Sequence, residues 1–167
     1  LGILFARPEV GKTTFCCFLA ASYIKQGFKV TYWANEEPAP KIKLRIIQSY
    51  FELTREQMVE QRGSLGVRYQ EEIDPLLTIM DSVGTSVEEI DEYAKLNTPD
   101  VMFCDYSMLD NSRTGKAGEA DIIIGIGKTG SSEVVNTVRH ICVSKNKLNG
   151  WHGMINAQID INSGVYY

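Results

Sequence analysis

Residues 6–14 read Ala6-Arg7-Pro8-Glu9-Val10-Gly11-Lys12-Thr13-Thr14, directly after the apolar run Leu1-Gly2-Ile3-Leu4-Phe5 and directly before the helical spacing Phe15, Phe18, Leu19, Ser22. The pattern is a buried strand, a tight loop and a helix N-terminus. Backbone N–H groups at a helix start lack intrahelical partners and lie at the positive end of the helix dipole, so such a loop can cradle a polyphosphate. The expected cradle is Arg7, Pro8, Glu9, Val10 and Gly11, continuing into Lys12, Thr13 and Thr14. Lys12 is placed to reach the β- and γ-phosphates, and the Thr13 hydroxyl to hold Mg²⁺. Ala6 stands where the strict pattern has its first Gly. A methyl is tolerated there if φ is negative, whereas Gly11 must let the backbone pass close to phosphate.

The bulk numbers restrict what surrounds this loop. With 167 residues, 44% hydrophobic and 23% charged, the chain has the length of one domain and the composition of a soluble, cytoplasmic globular protein. No apolar stretch approaches bilayer length, so no membrane role is expected. The chain opens inside a strand without Met, which is expected of a fragment. A formal charge of −4 gives no global pull toward nucleic acid, so any such contact must be local. Cysteines 16, 17, 104 and 142 lack C-x-x-C spacing and read as buried reduced thiols rather than a zinc or disulfide framework.

Along the chain, Gly27 ends the first helix and Lys29 to Ala34 alternates like a strand. A Pro-Ala-Pro break at 38–40 precedes a helix with the expected apolar face Leu44, Ile47, Tyr50 and Phe51; residues 54–62 could form a second, more polar helix. The stretch bracketed by Gly63, Gly66 and Pro75 has no clear pattern. Leu76 to Met80 is a strand candidate, Ser86-Val87-Glu88-Glu89 a capping box, and Val101 to Cys104 a further strand. Near-continuous apolar strands alternating with helices predict a parallel sheet covered on both faces, with a ligand at the carboxyl ends of the strands. Ile122–Ile126, His140–Val143 and Met154–Ile161 follow with little helix between them, which predicts antiparallel additions to the sheet.

Two acids complete the expected chemistry. Asp105 ends a hydrophobic strand and would hold Mg²⁺ opposite Thr13. Water activation needs a carboxylate near the γ-phosphate, and Glu36 or Glu37, following the strand after the first helix, can supply it. Both would also be favoured simply as solvated acids at a helix N-terminus.

These residues resemble the RecA-fold motor domain of hexameric replicative helicases, the DnaB-type family, and especially its bacteriophage primase-helicase branch. The resemblance covers the phosphate loop, Asn35-Glu36-Glu37, Cys104-Asp105-Tyr106 and the final strands. It implies an α/β, RecA-like P-loop NTPase fold over residues 1–167, with a mainly parallel central sheet flanked by helices and antiparallel C-terminal strands. It implies ATP and Mg²⁺ as ligands, Glu36 as catalytic base, and a homo-oligomer, usually a hexameric ring, on single-stranded DNA, with a primase domain or partner. Ser144-Lys145-Asn146-Lys147 matches the family's basic pair that reaches a neighbouring subunit's γ-phosphate, with Lys147 where Arg is usual, so a forked donor is replaced by a point charge. Ser112-Arg113-Thr114-Gly115-Lys116 resembles the channel loop, with Arg113 and Lys116 as DNA contacts. The family's helix and sensor strand after the Mg²⁺ acid have no counterpart here, so a segment is expected to be missing near residues 106–111. Gln158 follows Lys147 in the last strand and is therefore not that sensor.

A recombinase-like filament ATPase is the alternative within the same fold. A small-molecule kinase or GTP switch is a third, though in Asn146-Lys147-Leu148-Asn149 the last residue replaces the acid that would read guanine. If the assignments hold, Lys12→Ala abolishes nucleotide binding or turnover. Glu36→Gln keeps ATP bound but slows hydrolysis about 10²-fold or more, as a steady-state phosphate-release assay will measure.

Overall fold

The computed structural model describes residues 1–7, 9–81, 85–105, 120–128 and 137–167. In chain order the elements are β1 (Gly2–Ala6), α1 (Lys12–Lys25), β2 (Val30–Ala34), α2 (Ala39–Phe51), α3 (Arg55–Glu60), α4 (Arg62–Arg68), a π-helical turn (Tyr69–Ile73), β3 (Leu77–Asp81), α5 (Val87–Asn97), β4 (Val101–Cys104), β5 (Ile122–Gly127), β6 (Val138–Asn146) and β7 (Gly153–Gln158). Contacts divide them into two compact units.

The first unit contains Leu1–Phe15, Met108–Ile161 and Val165–Tyr167. Its sheet has the order β1-β5-β6-β7. β1 and β5 are parallel, while β5–β6 and β6–β7 are antiparallel, as the Gly-rich turns of the C-terminal region predict. β5 reads Ile-Ile-Ile-Gly-Ile-Gly, β-branched except at Gly125, which lies opposite Phe5, and at the terminal Gly127. A Cβ there would come within 2.8 Å of the Phe5 ring, so glycine lets that ring lie across the strand. The last residues fold back on β7 through paired backbone hydrogen bonds between Gln158 and Tyr167, at 3.0 and 2.8 Å.

The second unit, Cys16–Ser107 with Asn162–Gly164, holds the sheet β3-β2-β4, parallel throughout. The expected alternation in β2 gives way to burial of all five residues, because the strand is central and covered on both faces. Around it pack Cys17, Ala20, Ala21 and Ile24 of α1, Ile42, Ile46 and Ile47 of α2, and Ile73. The α1 face differs from the expected Phe18, Leu19 and Ser22: small residues at i, i+3 and i+4 lie inward and allow a close approach to the strands. In α2 the apolar face is also rotated. Ile42 and Ile46 are buried and Leu44 is 53% exposed.

The segment with no clear sequence pattern is helical. α4 accommodates Gly63 and Gly66 despite their low helix propensity, buries Leu65, and passes into a π turn in which Asp74 N–H donates to Tyr69 O at 2.9 Å. The Ser86 capping box forms as expected, with Glu89 N donating to Ser86 Oγ at 3.2 Å and Ser86 N to Glu89 Oε2 at 2.7 Å. A second box, Thr54 with Gln57, starts α3. Of the thiols, Cys17 is buried, Cys16 is half-buried, and Cys104 and Cys142 are exposed. That corrects the expectation of four buried thiols: Cys142 has the opposite strand parity to its buried neighbour Val143. Arg113, Lys116 and the 106–111 stretch lie outside the described residues, as does Pro8.

α5 stops at Thr98, a β-branched residue in the left-handed region at φ 43°, ψ 55°, whose N–H donates to Ala94 O at 2.9 Å. Only glycine adopts this cap without strain. Thr98→Gly is expected to stabilise the protein by about 1 kcal/mol, read as a rise in the urea midpoint at unchanged slope.

Candidate functional site

Within the first unit, β1 delivers the chain into the loop at Ala6 and α1 takes it up at Lys12. Ala6 is the last strand residue and is not among the positive-φ residues, which is the condition for a methyl at that position. The left-handed geometry falls instead on Glu9, at φ 62°, and on Gly11, at φ 104°. Val10 N–H reaches back to Arg7 O at 3.4 Å, and Phe15 N–H donates to Gly11 O at 2.9 Å, opening the helix. The first turn of α1 carries no acidic residue, so no carboxylate of that turn neutralises its positive end. Lys12, Thr13 and Thr14 are half-buried there.

Two residues that the sequence reading did not single out lie against this loop. Arg139 on β6, only 7% exposed, donates from Nε to the Val10 carbonyl at 2.9 Å. Tyr166 packs edge-on against Phe15 with ring centroids 5.0 Å apart, and a Cβ on Gly11 would lie 3.4 Å from its hydroxyl. For Arg139 a signal was available. Arg139, Ile141 and Val143 share strand parity, so the arginine falls on the same face as two apolar residues of the strand.

The expected acids belong to the second unit. β2 and β4 run parallel with Trp33 beside Cys104, so Glu36 and Asp105 both follow the carboxyl edge of that sheet. Asp105 is 5% exposed; its N–H donates to Trp33 O at 3.0 Å, and Tyr32 Oη donates to its Oδ2 at 3.4 Å. Burial raises the Tyr32 phenol far above its ordinary value, with the Cys17 and Cys16 thiols and Asp105 adding to the shift, so it stays a neutral donor. Cys17 is likewise raised, first by burial, and is no nucleophile. Glu37 is engaged in structure: Arg45 donates Nε to Oε2 at 3.2 Å and Nη2 to Oε1 at 3.0 Å, while Lys41 Nζ lies 3.1 Å from Oε2. Glu36 is exposed at the same turn. Among the described residues no group of three His, Cys, Asp or Glu side chains could hold a metal by itself.

Lys145 and Lys147 sit at the other edge of the first unit's sheet from the phosphate loop. Lys145 pairs with Ile123, which pairs with Ile3, whereas the loop leaves after Ala6, roughly 10 Å further along at about 3.3 Å per residue. A β-bulge at this point shifts parity, so Val143 and Asn146 are both buried and Lys145 is half-buried. The turn beyond is built by its asparagines. Asn146 Nδ2 donates to Asn149 Oδ1 at 2.6 Å, and Asn146 Oδ1 accepts from Leu148 N–H at 3.0 Å. This Asx turn accounts for both asparagines without a base-reading role.

No family model matches the sequence, and no curated protein does. Solved structures do match. The ATPase domain of G40P superposes with a TM-score of 0.76 at 16% identity, over 99% of this chain and 83% of that one. A DnaB-like replicative helicase, solved with its interactions with primase, gives 0.76 at 17% identity over 99% of this chain and 56% of the other. The chain has the fold of these helicase ATPase domains. The DnaB-like likeness agrees with the resemblance read from the motifs, and at these identities it is a likeness of fold. No helix among the described residues is long and apolar enough to cross a membrane.

At Gly11 it is the backbone angle, more than the space available, that disfavours a side chain. Gly11→Ala puts a Cβ at φ 104° beside the Tyr166 hydroxyl. The substitution is expected to cost at least about 1 kcal/mol in urea unfolding, and to weaken nucleotide binding in equilibrium titration more than a surface Gly63→Ala does.

Proposed function

We propose that this chain is the ATP-hydrolysing motor of a DnaB-type replicative helicase, acting in a homo-oligomeric ring, usually hexameric, on single-stranded DNA in the cytoplasm of a bacterial or phage-infected cell. The observation that carries the reading is the strand–loop–helix of β1 and α1, with Lys12 and Thr13 at an acid-free helix start, within a fold shared with helicase ATPase domains. Backbone N–H groups of the loop and the Lys12 ammonium bind the triphosphate.

Mg²⁺ would be held by oxygen donors of the chain. Thr13 offers a hydroxyl and Asp105 a buried carboxylate, hard oxygens of the kind that ion takes in ones and twos beside substrate phosphates. When bound, the ion neutralises charge on the phosphates. Glu36 orients and deprotonates the attacking water. It is favoured over Glu37, whose oxygens are held by Arg45 and Lys41. Lys145 and Lys147 stand at the sheet edge away from this chain's own loop, which supports a role on a neighbouring subunit's nucleotide. Arg113 and Lys116 hold the DNA backbone, with affinity set by counterion release. A primase domain or partner accompanies the motor.

Turnover is expected to rise several-fold with added single-stranded DNA; a flat response across DNA concentrations removes the DNA motor. Mixing Lys147→Ala with Lys12→Ala subunits, each inactive alone, is expected to restore ATPase activity at intermediate ratios. No rescue at any ratio would mean a site complete within one chain. Closed rings in electron micrographs, against open helical filaments, separate the helicase from the filament ATPase.

A further inference from the structure

The loop between β1 and α1 holds a non-glycine residue, Glu9, in the left-handed region at φ 62°, so its backbone is strained there and persists only where its surroundings over-determine it. From one side the constraint is the start of α1, where Phe15 N–H takes the Gly11 carbonyl. From the other it is Arg139. Its guanidinium is buried, with Nε donating to Val10 O at 2.9 Å and Nη1 to Val138 O at 3.0 Å, so a cation that is costly to desolvate is held against the main chain of the loop. In a trans peptide the C=O and the following N–H point in opposite directions, and no cis peptide occurs among the described residues. Fixing the Val10 carbonyl toward β6 therefore fixes the Gly11 N–H away from β6.

We propose that Arg139 is a positioning residue for triphosphate binding, its Nε–H setting the Val10–Gly11 peptide so that the Gly11 N–H is presented to phosphate. The inference rests on the nucleotide-binding reading above and names the group that preorganises that site. Preorganisation matters because a loop already holding its donors in place loses less freedom on binding. The donor seen to reach the loop is Nε, while Nη1 donates to Val138 within β6 itself.

Two near-isosteric replacements test this. Gln places its amide Nε2 where Arg has Nε, and Met places a methyl there, so the pair differs chiefly in the donor. The full chain is titrated with a fluorescent non-hydrolysable ATP analogue, with thermal unfolding recorded without nucleotide. The expected result is wild-type binding, Arg139→Met about tenfold weaker, as for one lost hydrogen bond, and Arg139→Gln within about threefold of wild type. Equal affinities in the Met and Gln variants, whether both retained or both lost, overturn the positioning role. If Arg139→Met does not fold, Arg139→Gln decides alone: near-wild-type affinity supports the role, and a tenfold loss overturns it. Wild-type protein that binds no analogue at millimolar concentration sinks the nucleotide reading together with this one, and is distinguishable from wild-type binding that the substitutions leave equal.

Discussion

The main chain between Ala6 and Lys12 is the constraint on which the first unit turns. A strand must become a helix within a few residues, and the solution uses positive φ at Glu9 and Gly11. Glycine adopts that region freely, whereas Glu9 there costs about 1–3 kcal/mol. The neighbours that sustain it come from distant parts of the sequence: the parallel ladder of β1 with β5, Arg139 from β6, and Tyr166 from the folded-back tail. The C-terminal strands are thus the frame in which the N-terminal loop keeps its shape, rather than an appendage to the sheet.

The second unit faces a different constraint, that of burying a carboxylate at a strand end. Asp105 is almost wholly buried yet is met by the Tyr32 hydroxyl, and that ring stacks on Phe103 with centroids 5.7 Å apart. The core beneath fixes Tyr32 at 0% exposure. At the turn after β2 the two neighbouring glutamates are divided by environment. Glu37 is clamped by the forked guanidinium of Arg45, a bidentate arrangement that also anchors the first turns of α2, and Glu36 is left at the surface.

Much of this was legible in the residues. Strand–loop–helix at 1–15, the parallel strands after Gly27, Leu76 and Pro99, and the antiparallel character of the tail all followed from apolar runs and their punctuation. The errors have physical causes. α2 is apolar on more than one side, so periodicity allowed two faces, and packing against β2 chose Ile42 and Ile46 over Leu44. α4 contains two glycines, which propensity alone counts against a helix, yet it docks through Leu65. Glu9 was not recognised as a left-handed residue because Gly11 already met the motif's need. Tyr166 carried no local signal, since its position depends on a backbone return beside β7 that only tertiary structure reveals.

β6 is bonded to β5 along one side and β7 along the other. A strand paired in this way cannot creep by one residue without turning every side chain to the wrong face. One tip carries Arg139 against the Val10 carbonyl, and the other carries Lys145 beside the bulge. A one-residue slip would swing both side chains across the sheet together, so strand register, and not closeness in sequence, is what keeps the arginine under the loop.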